Sequence, residues 1–342
     1  MKAARKIDLD IIRIVAILLV IFNHTDGFIY YTETGNIMTW LFSLGMACIC
    51  RVGVPLFFMV SGALLLSKDE TIKELLCRRV SKIFIVLIII SIFYYVMDVC
   101  RHRIPNAGVN DFLEKFYTNG IRESLWFLYA YCGMLLTLPF FRIMIRHIDQ
   151  RLMRYLFGLK IIFALILPLW KELFGFSISL DLGFVNDYVF YMILGYYMKF
   201  ASTWQEKRYR FWQESVGFIG CVVFDMIIMQ IHFLKIGNYS QELLDIFICI
   251  MAPLVFCICG KIADRWRGNE RINITIAAVG QCVFGIYLLD NFVRWQLLSL
   301  YLFLSEKTIG VFANSIYVCG VFIVGFIYTA VLRKIPFIKS YL

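Results

Sequence analysis

Long apolar runs separated by short, charged connections recur along the whole chain. Ten read as membrane spans, roughly residues 11–30, 37–66, 83–99, 125–141, 155–170, 184–198, 216–234, 244–260, 273–300 and 309–332. A helix rises ~1.5 Å per residue, so about 20 apolar residues cross the hydrocarbon of a bilayer. Several runs are shorter and the second and ninth are longer, which predicts tilt, breaks or re-entrant pieces. The pattern predicts an all-α polytopic membrane protein of about ten transmembrane helices, forming a single membrane domain over 1–342. No low-complexity tract, soluble appendage or convincing internal repeat interrupts it, which weighs against an inverted-repeat transporter.

The polar positions between the runs orient the chain. Lys and Arg number 23 in the N-tail, the 67–82, 142–154, 199–215 and 261–272 connections and the C-tail, against seven in the opposite connections. Basic residues concentrate on the cytoplasmic side, so both termini are expected there. The first span lacks a small-residue cleavage site after its short basic start and is expected to stay attached. The longest outer connection, about 100–124, contains Pro105, Asn106 and Gly108 and is placed to cap an outer mouth.

Composition agrees with this class and removes others. Of 342 residues, 61% are hydrophobic and 17% charged, with mean hydropathy +0.76. The net charge of +10 is scattered over the short connections, so it reads as a topology signal and not as a nucleic-acid surface. Most of the eleven cysteines sit in apolar runs, where a thiol behaves as a small hydrophobe. Cys257 and Cys259 are too close for the C-x-x-C spacing of metal or redox sites, and no metal is expected.

Candidate chemistry gathers first in the first span, which carries Asp10, Arg13, His24 and Asp26. Ionisable groups in hydrocarbon are costly and mark a pair, a pathway or a reactive centre. Arg13 and His24 are eleven residues apart, almost three helical turns, so they share a face at a separation of roughly 16 Å along the axis. Asp10, three residues from Arg13, can pair with it. Histidine is the side chain best suited to move a proton near neutral pH. The plainer reading is a histidine bonded to a neighbouring helix for packing; the charged company of His24 favours function.

Other segments divide between chemistry and architecture. Arg51 opens the stretch RVGVPLFFMVSG, in which Gly53, Pro55 and Gly62 permit a break or a close approach; a kinked helix with a snorkelling arginine is the equal alternative. Arg78, Arg79 and Lys82 follow the second span; Arg79 and Lys82 share a helical face open to an anion, although topology alone accounts for the charges. Trp126 and Tyr129 suit an aromatic belt. Gly195, within VFYMILGYY, reads as close helix packing. FGIYLLD, containing Tyr287 and Asp290, precedes Arg294 at the spacing of an intrahelical ion pair. Asp225 is another acid within a span and needs a partner on an adjacent one.

These segments, in this order, resemble the acyltransferase 3 family of integral membrane acyltransferases. The resemblance rests on D-x-x-R at Asp10 and Arg13, R-x10-H at Arg13 and His24, and VPLFFMVSG at Val54 to Gly62. The basic run Arg78 to Lys82, LWFLYA at Leu125, FYMILGYY at Phe190 and FGIYLLD at Phe284 complete it. It implies a ten-span bacterial plasma-membrane enzyme that takes an acyl group, commonly acetyl, from cytoplasmic acyl-CoA. The group would pass to a hydroxyl on a cell-envelope glycan, a lipid-linked saccharide or a related acceptor. The implied catalytic group is His24 with Asp10 and Arg13. His24 would deprotonate the acceptor or carry the acyl group itself. Arg13, Arg78, Arg79 and Lys82 would hold the donor phosphates, and Arg51, Ser61, Trp126, Tyr287 and Asp290 would line the substrate site.

The chain departs from the family pattern at two positions. Lys82 stands where the family often has a second arginine, giving a point charge in place of a fork. Asp290 stands where the last motif often ends in histidine. Membrane lipid, acyl-CoA and the saccharide acceptor are the expected partners, nucleic acid is not, and a homo-oligomer is left open. The competing reading is a transporter or exporter of a small polar solute, which would use the charged stripe as a pathway. A purely structural subunit fits poorly with four ionisable groups in one span.

Overall fold

Backbone groups in hydrocarbon have to be satisfied within their own segment, and the apolar runs accordingly form helices. The computed structural model describes residues 7–25, 36–176, 180, 182–183, 188–200, 211–266 and 268–342, and these contain no strand. The basic N-tail, Asp26 with the end of the first run, residues 184–187 and most of the 199–215 connection lie outside the described residues. The helices are α1 (Ile7–His24), α2 (Ile37–Cys50), α3 (Gly53–Leu65), α4 (Ile72–Cys100), α5 (Val109–Tyr117), α6 (Trp126–His147) and α7 (Gln150–Phe174). They continue with α8 (Val189–Phe200), α9 (Phe211–Ile236), α10 (Ile248–Trp266), α11 (Glu270–Gln296), α12 (Leu298–Lys307), α13 (Gly310–Leu332) and α14 (Pro336–Lys339).

Among the described residues, eight helical stretches are long and apolar enough to cross a membrane: α2 with α3, α4, α6, α7, α9, α10, α11 and α13. Two further runs read as spans from sequence are not in that group. α1 carries Asp8, Asp10 and Arg13 within 18 residues, and α8 is 12 residues long. The fold is an all-α polytopic membrane protein.

Of the two alternatives, a break or a kinked helix, the described backbone lies between: α2 stops at Cys50 and α3 starts at Gly53, yet Arg51 and Val52 keep right-handed helical angles and the two helices make one membrane-length stretch. Pro55 thereby falls in the first turn of α3, where its missing N–H has no intrahelical partner to lose.

The chain forms two compact units, one from Met1–Leu66 with Ile148–Val331 and one from Ser67–His147 with Leu332–Leu342. In the first, α1 is the hub and packs against α2, α3, α10 and α11. Its buried face includes Ile12, Ala16, Ile17 and Ile21. α3 crosses α8 at a pair of glycines. A Cβ on Gly62 would run into the Met192 backbone, and one on Gly195 into the Met59 backbone. The close approach expected at Gly195 is therefore reciprocal.

In the second unit α4 packs on α6. α4 begins with a capping box in which Thr71 Oγ1 accepts from Glu74 N–H at 3.2 Å and Glu74 Oε2 accepts from Thr71 N–H at 3.1 Å. The connection after α4 folds into α5, tied down where Tyr95 Oη donates to Asp111 at 2.7 Å. Arg122 grips both oxygens of buried Asp98, at 2.7 and 2.6 Å.

Candidate active site

His24 is the last residue of α1, and its position there is fixed from α11. Its Nδ1 lies 2.7 Å from Asp290 Oδ2, and the Asp290 side chain is only 1% exposed. Arg294, one turn further along α11, donates from Nε to both Asp290 oxygens at 3.2 Å. Its Nη1 reaches the His24 carbonyl at 2.5 Å, satisfying an oxygen that the end of α1 leaves without an intrahelical partner. Tyr317 of α13 then donates to the Arg294 carbonyl at 2.6 Å.

The chemistry follows from these contacts. A carboxylate accepts hydrogen bonds only, so the 2.7 Å contact puts the imidazole proton on Nδ1 and leaves the lone pair on Nε2. Asp290 also faces a fixed guanidinium, so the carboxylate is oriented on both sides. A histidine held this way can take a proton at Nε2 and have its charged form stabilised by the acid behind it, the logic of a nucleophile–histidine–aspartate triad. The sequence expectation of an Asp290–Arg294 ion pair holds. The sequence reading missed the link to His24, because the two residues lie 266 positions apart.

At the other end of α1, Arg13 Nη1 bonds Asp10 Oδ1 at 3.3 Å, as their spacing suggests. Asp10 is almost fully buried against Gly280 of α11, where a Cβ would come within 2.7 Å of its carboxylate. Arg13 keeps a side chain 31% exposed. One turn nearer the start of α1, Asp8 receives Lys199 Nζ at 2.5 Å.

The second unit holds the basic run by itself. Arg79 donates from Nε to both Glu70 oxygens, at 3.1 and 2.8 Å, and also from Nη2 to Oε1. Arg142 adds Nη2 to Glu70 Oε2 at 2.9 Å. Bonding to Arg79, ahead of that to Arg142, pulls the Glu70 carboxyl down to about 2. Arg78 and Arg79 sit on a π-helical turn, Leu76–Val80, a distortion that frequently accompanies functional sites. Exposed Arg78 pairs with Glu74 at 3.6 Å, and Lys82 faces the charge of Arg333. By sequence alone Arg142 is one of several topology charges and Glu70 one acid of a charged connection. Nothing in their spacing signals that they meet.

The remaining expected residues scatter. Arg51, between α2 and α3, donates to Gln241 and lies 3.8 Å from Asp245. The Ser61 hydroxyl bonds the Phe57 carbonyl of its own helix at 2.8 Å. Tyr287 is buried on α11, one turn from Asp290. Trp126 opens α6 in the second unit, its ring edge-on to Phe127. Asp225 is fully buried on α9, with the Cys48 thiol of α2 as its polar neighbour. Among the described residues, no three His, Cys, Asp or Glu side chains gather as a metal would require.

The family model describing an acyltransferase domain, acyltransferase 3, matches residues 6–334, nearly the whole chain. No curated protein and no solved structure matches it.

Proposed function

The chain belongs to the acyltransferase 3 family, which makes it a multi-pass membrane acyltransferase, and we propose that it transfers an acetyl group from cytoplasmic acetyl-CoA to a hydroxyl. The acceptor is a cell-envelope glycan or a lipid-linked saccharide, and the membrane is a bacterial plasma membrane. The observation that carries this reading is the His24–Asp290–Arg294 arrangement, an oriented imidazole where the family pattern places the reactive histidine.

His24 Nε2 takes the proton of the acceptor hydroxyl as its oxygen attacks the thioester carbon. Asp290, fixed by Arg294, orients the ring and supports the imidazolium that forms. Collapse of the tetrahedral intermediate breaks the carbon–sulfur bond, and the departing thiolate recovers the proton from His24. The products are the ester and free CoA. The donor is long, and roughly 16 Å of α1 separates Arg13 from His24, a span that suits phosphates at the surface and a thioester further in. Cationic Arg13 supports the phosphate end of this reading, with Asp10 holding the guanidinium in place.

The test uses purified protein in lipid with radiolabelled acetyl-CoA and envelope extract. His24→Ala is expected to bind donor and lose label transfer, whereas Arg13→Ala is expected to weaken donor binding. Undiminished transfer by His24→Ala removes the histidine from the reaction. Failure of the folded wild-type protein to bind acetyl-CoA or longer acyl-CoAs overturns the donor assignment.

A further inference from the structure

Within the second unit, two guanidiniums converge on one carboxylate. Arg79 grips Glu70 through Nε and Nη2, and Arg142 grips it through Nη2. Lys68 faces the same three groups. The neighbouring acids are engaged elsewhere, Asp69 with Arg146 and Glu74 with Arg78. One carboxylate thus has three cations in its company, and two of them are guanidiniums aimed at the same pair of oxygens. The planar arginine fork that fits a carboxylate fits phosphate oxygens equally well.

The parts also differ in how firmly they are held. Arg79 and Arg142 project from helices, and Arg142 is 6% exposed. Glu70 sits on the irregular link between Leu65 and Ile72, with a side chain 21% exposed. The cations are the fixed elements and the acid is the displaceable one.

We propose that Arg142 is a further phosphate-binding residue beside Arg79, and that Glu70 fills their site until a phosphate displaces it. This deepens the donor reading and rests on it for the identity of the phosphate. A phosphate ester at this site comes either from the CoA donor or from a phospholipid headgroup. Glu70 is then a built-in competitor that sets the apparent affinity of the site.

The test measures CoA binding to the full chain in zwitterionic nanodiscs, with thermal unfolding as a folding check. Glu70→Gln is expected to tighten CoA binding on the order of tenfold, the factor by which a clamp favoured ten to one over its open form weakens apparent affinity. Glu70→Asp, which keeps the charge on a shorter arm, should fall between Glu70→Gln and wild type. Arg142→Ala should weaken binding by a similar factor. If folded Glu70→Gln binds CoA more weakly than wild type, Glu70 is a strut that positions the arginines and the proposal falls. Unchanged binding in Glu70→Gln overturns it too.

If no form binds CoA, the donor reading fails on its own account. Nanodiscs containing phosphatidylglycerol then decide the site: stronger retention of that lipid by Glu70→Gln and weaker retention by Arg142→Ala sustain the phosphate assignment with a lipid source. Its absence from both overturns the assignment.

Discussion

Replacing Asp290 by Asn keeps the shape of the side chain and removes the charge behind the His24 imidazole. The amide can present its NH2 to Nδ1, which moves the ring proton to Nε2, the position where a base has to be empty. Asp290→Asn is therefore expected to lower acyl transfer by roughly 10²–10⁴-fold, the range for losing a positioned acid–base group, while donor binding stays within error of wild type. Initial rates and a binding isotherm measured on the same preparation separate the two effects; a variant with full activity would show that Asp290 serves packing alone. At this scale the sequence was partly legible. The spacing of Asp290 and Arg294 announces their ion pair, and His24 in hydrocarbon announces the need for a partner. Which acid answers His24 depends on how α11 packs against α1, and no local spacing encodes that.

Among the helices, the α3–α8 crossing is the contact most sensitive to a single methyl group. Gly62 and Gly195 each face backbone atoms of the other helix, so no rotamer change can make room for a Cβ. Gly195→Ala is expected to destabilise the first unit by about 1–3 kcal/mol, the usual cost of overpacking. Gly133→Ala on α6 is the control, because a Cβ there meets nothing within 4 Å and alanine favours the helix by about 1 kcal/mol. Thermal unfolding of both variants in one detergent gives the comparison; equal midpoints would show that the helices separate freely at Gly195. Glycine in an apolar run made this crossing readable, and proline behind an arginine marked an interruption between α2 and α3 without deciding between a break and a kink. The π-helical turn under Arg78 and Arg79 was not, since Leu76–Val80 has the same residue types as any regular helix.

The fold of the whole molecule was legible as a class because apolar length and composition determine it, whereas its division into two units was not. The chain changes unit at Ser67, Ile148 and Leu332, in or beside charged connections of the same kind as those that join helices within a unit. Orientation rests on the asymmetry of Lys and Arg alone, and α4 offers a direct check. It carries exposed Cys77 near its start and exposed Cys100 at its end, 23 residues and so about 35 Å apart along a helix. With the 67–82 connection in the cytoplasm, Cys100 lies at the outer face. In single-cysteine variants, a membrane-impermeant maleimide is expected to label Cys100 in intact cells and Cys77 only after permeabilisation. The reverse pattern would invert the chain and place the Arg79–Arg142 site away from cytoplasmic acyl-CoA. Labelling of both from one side would mean that α4 does not cross the bilayer.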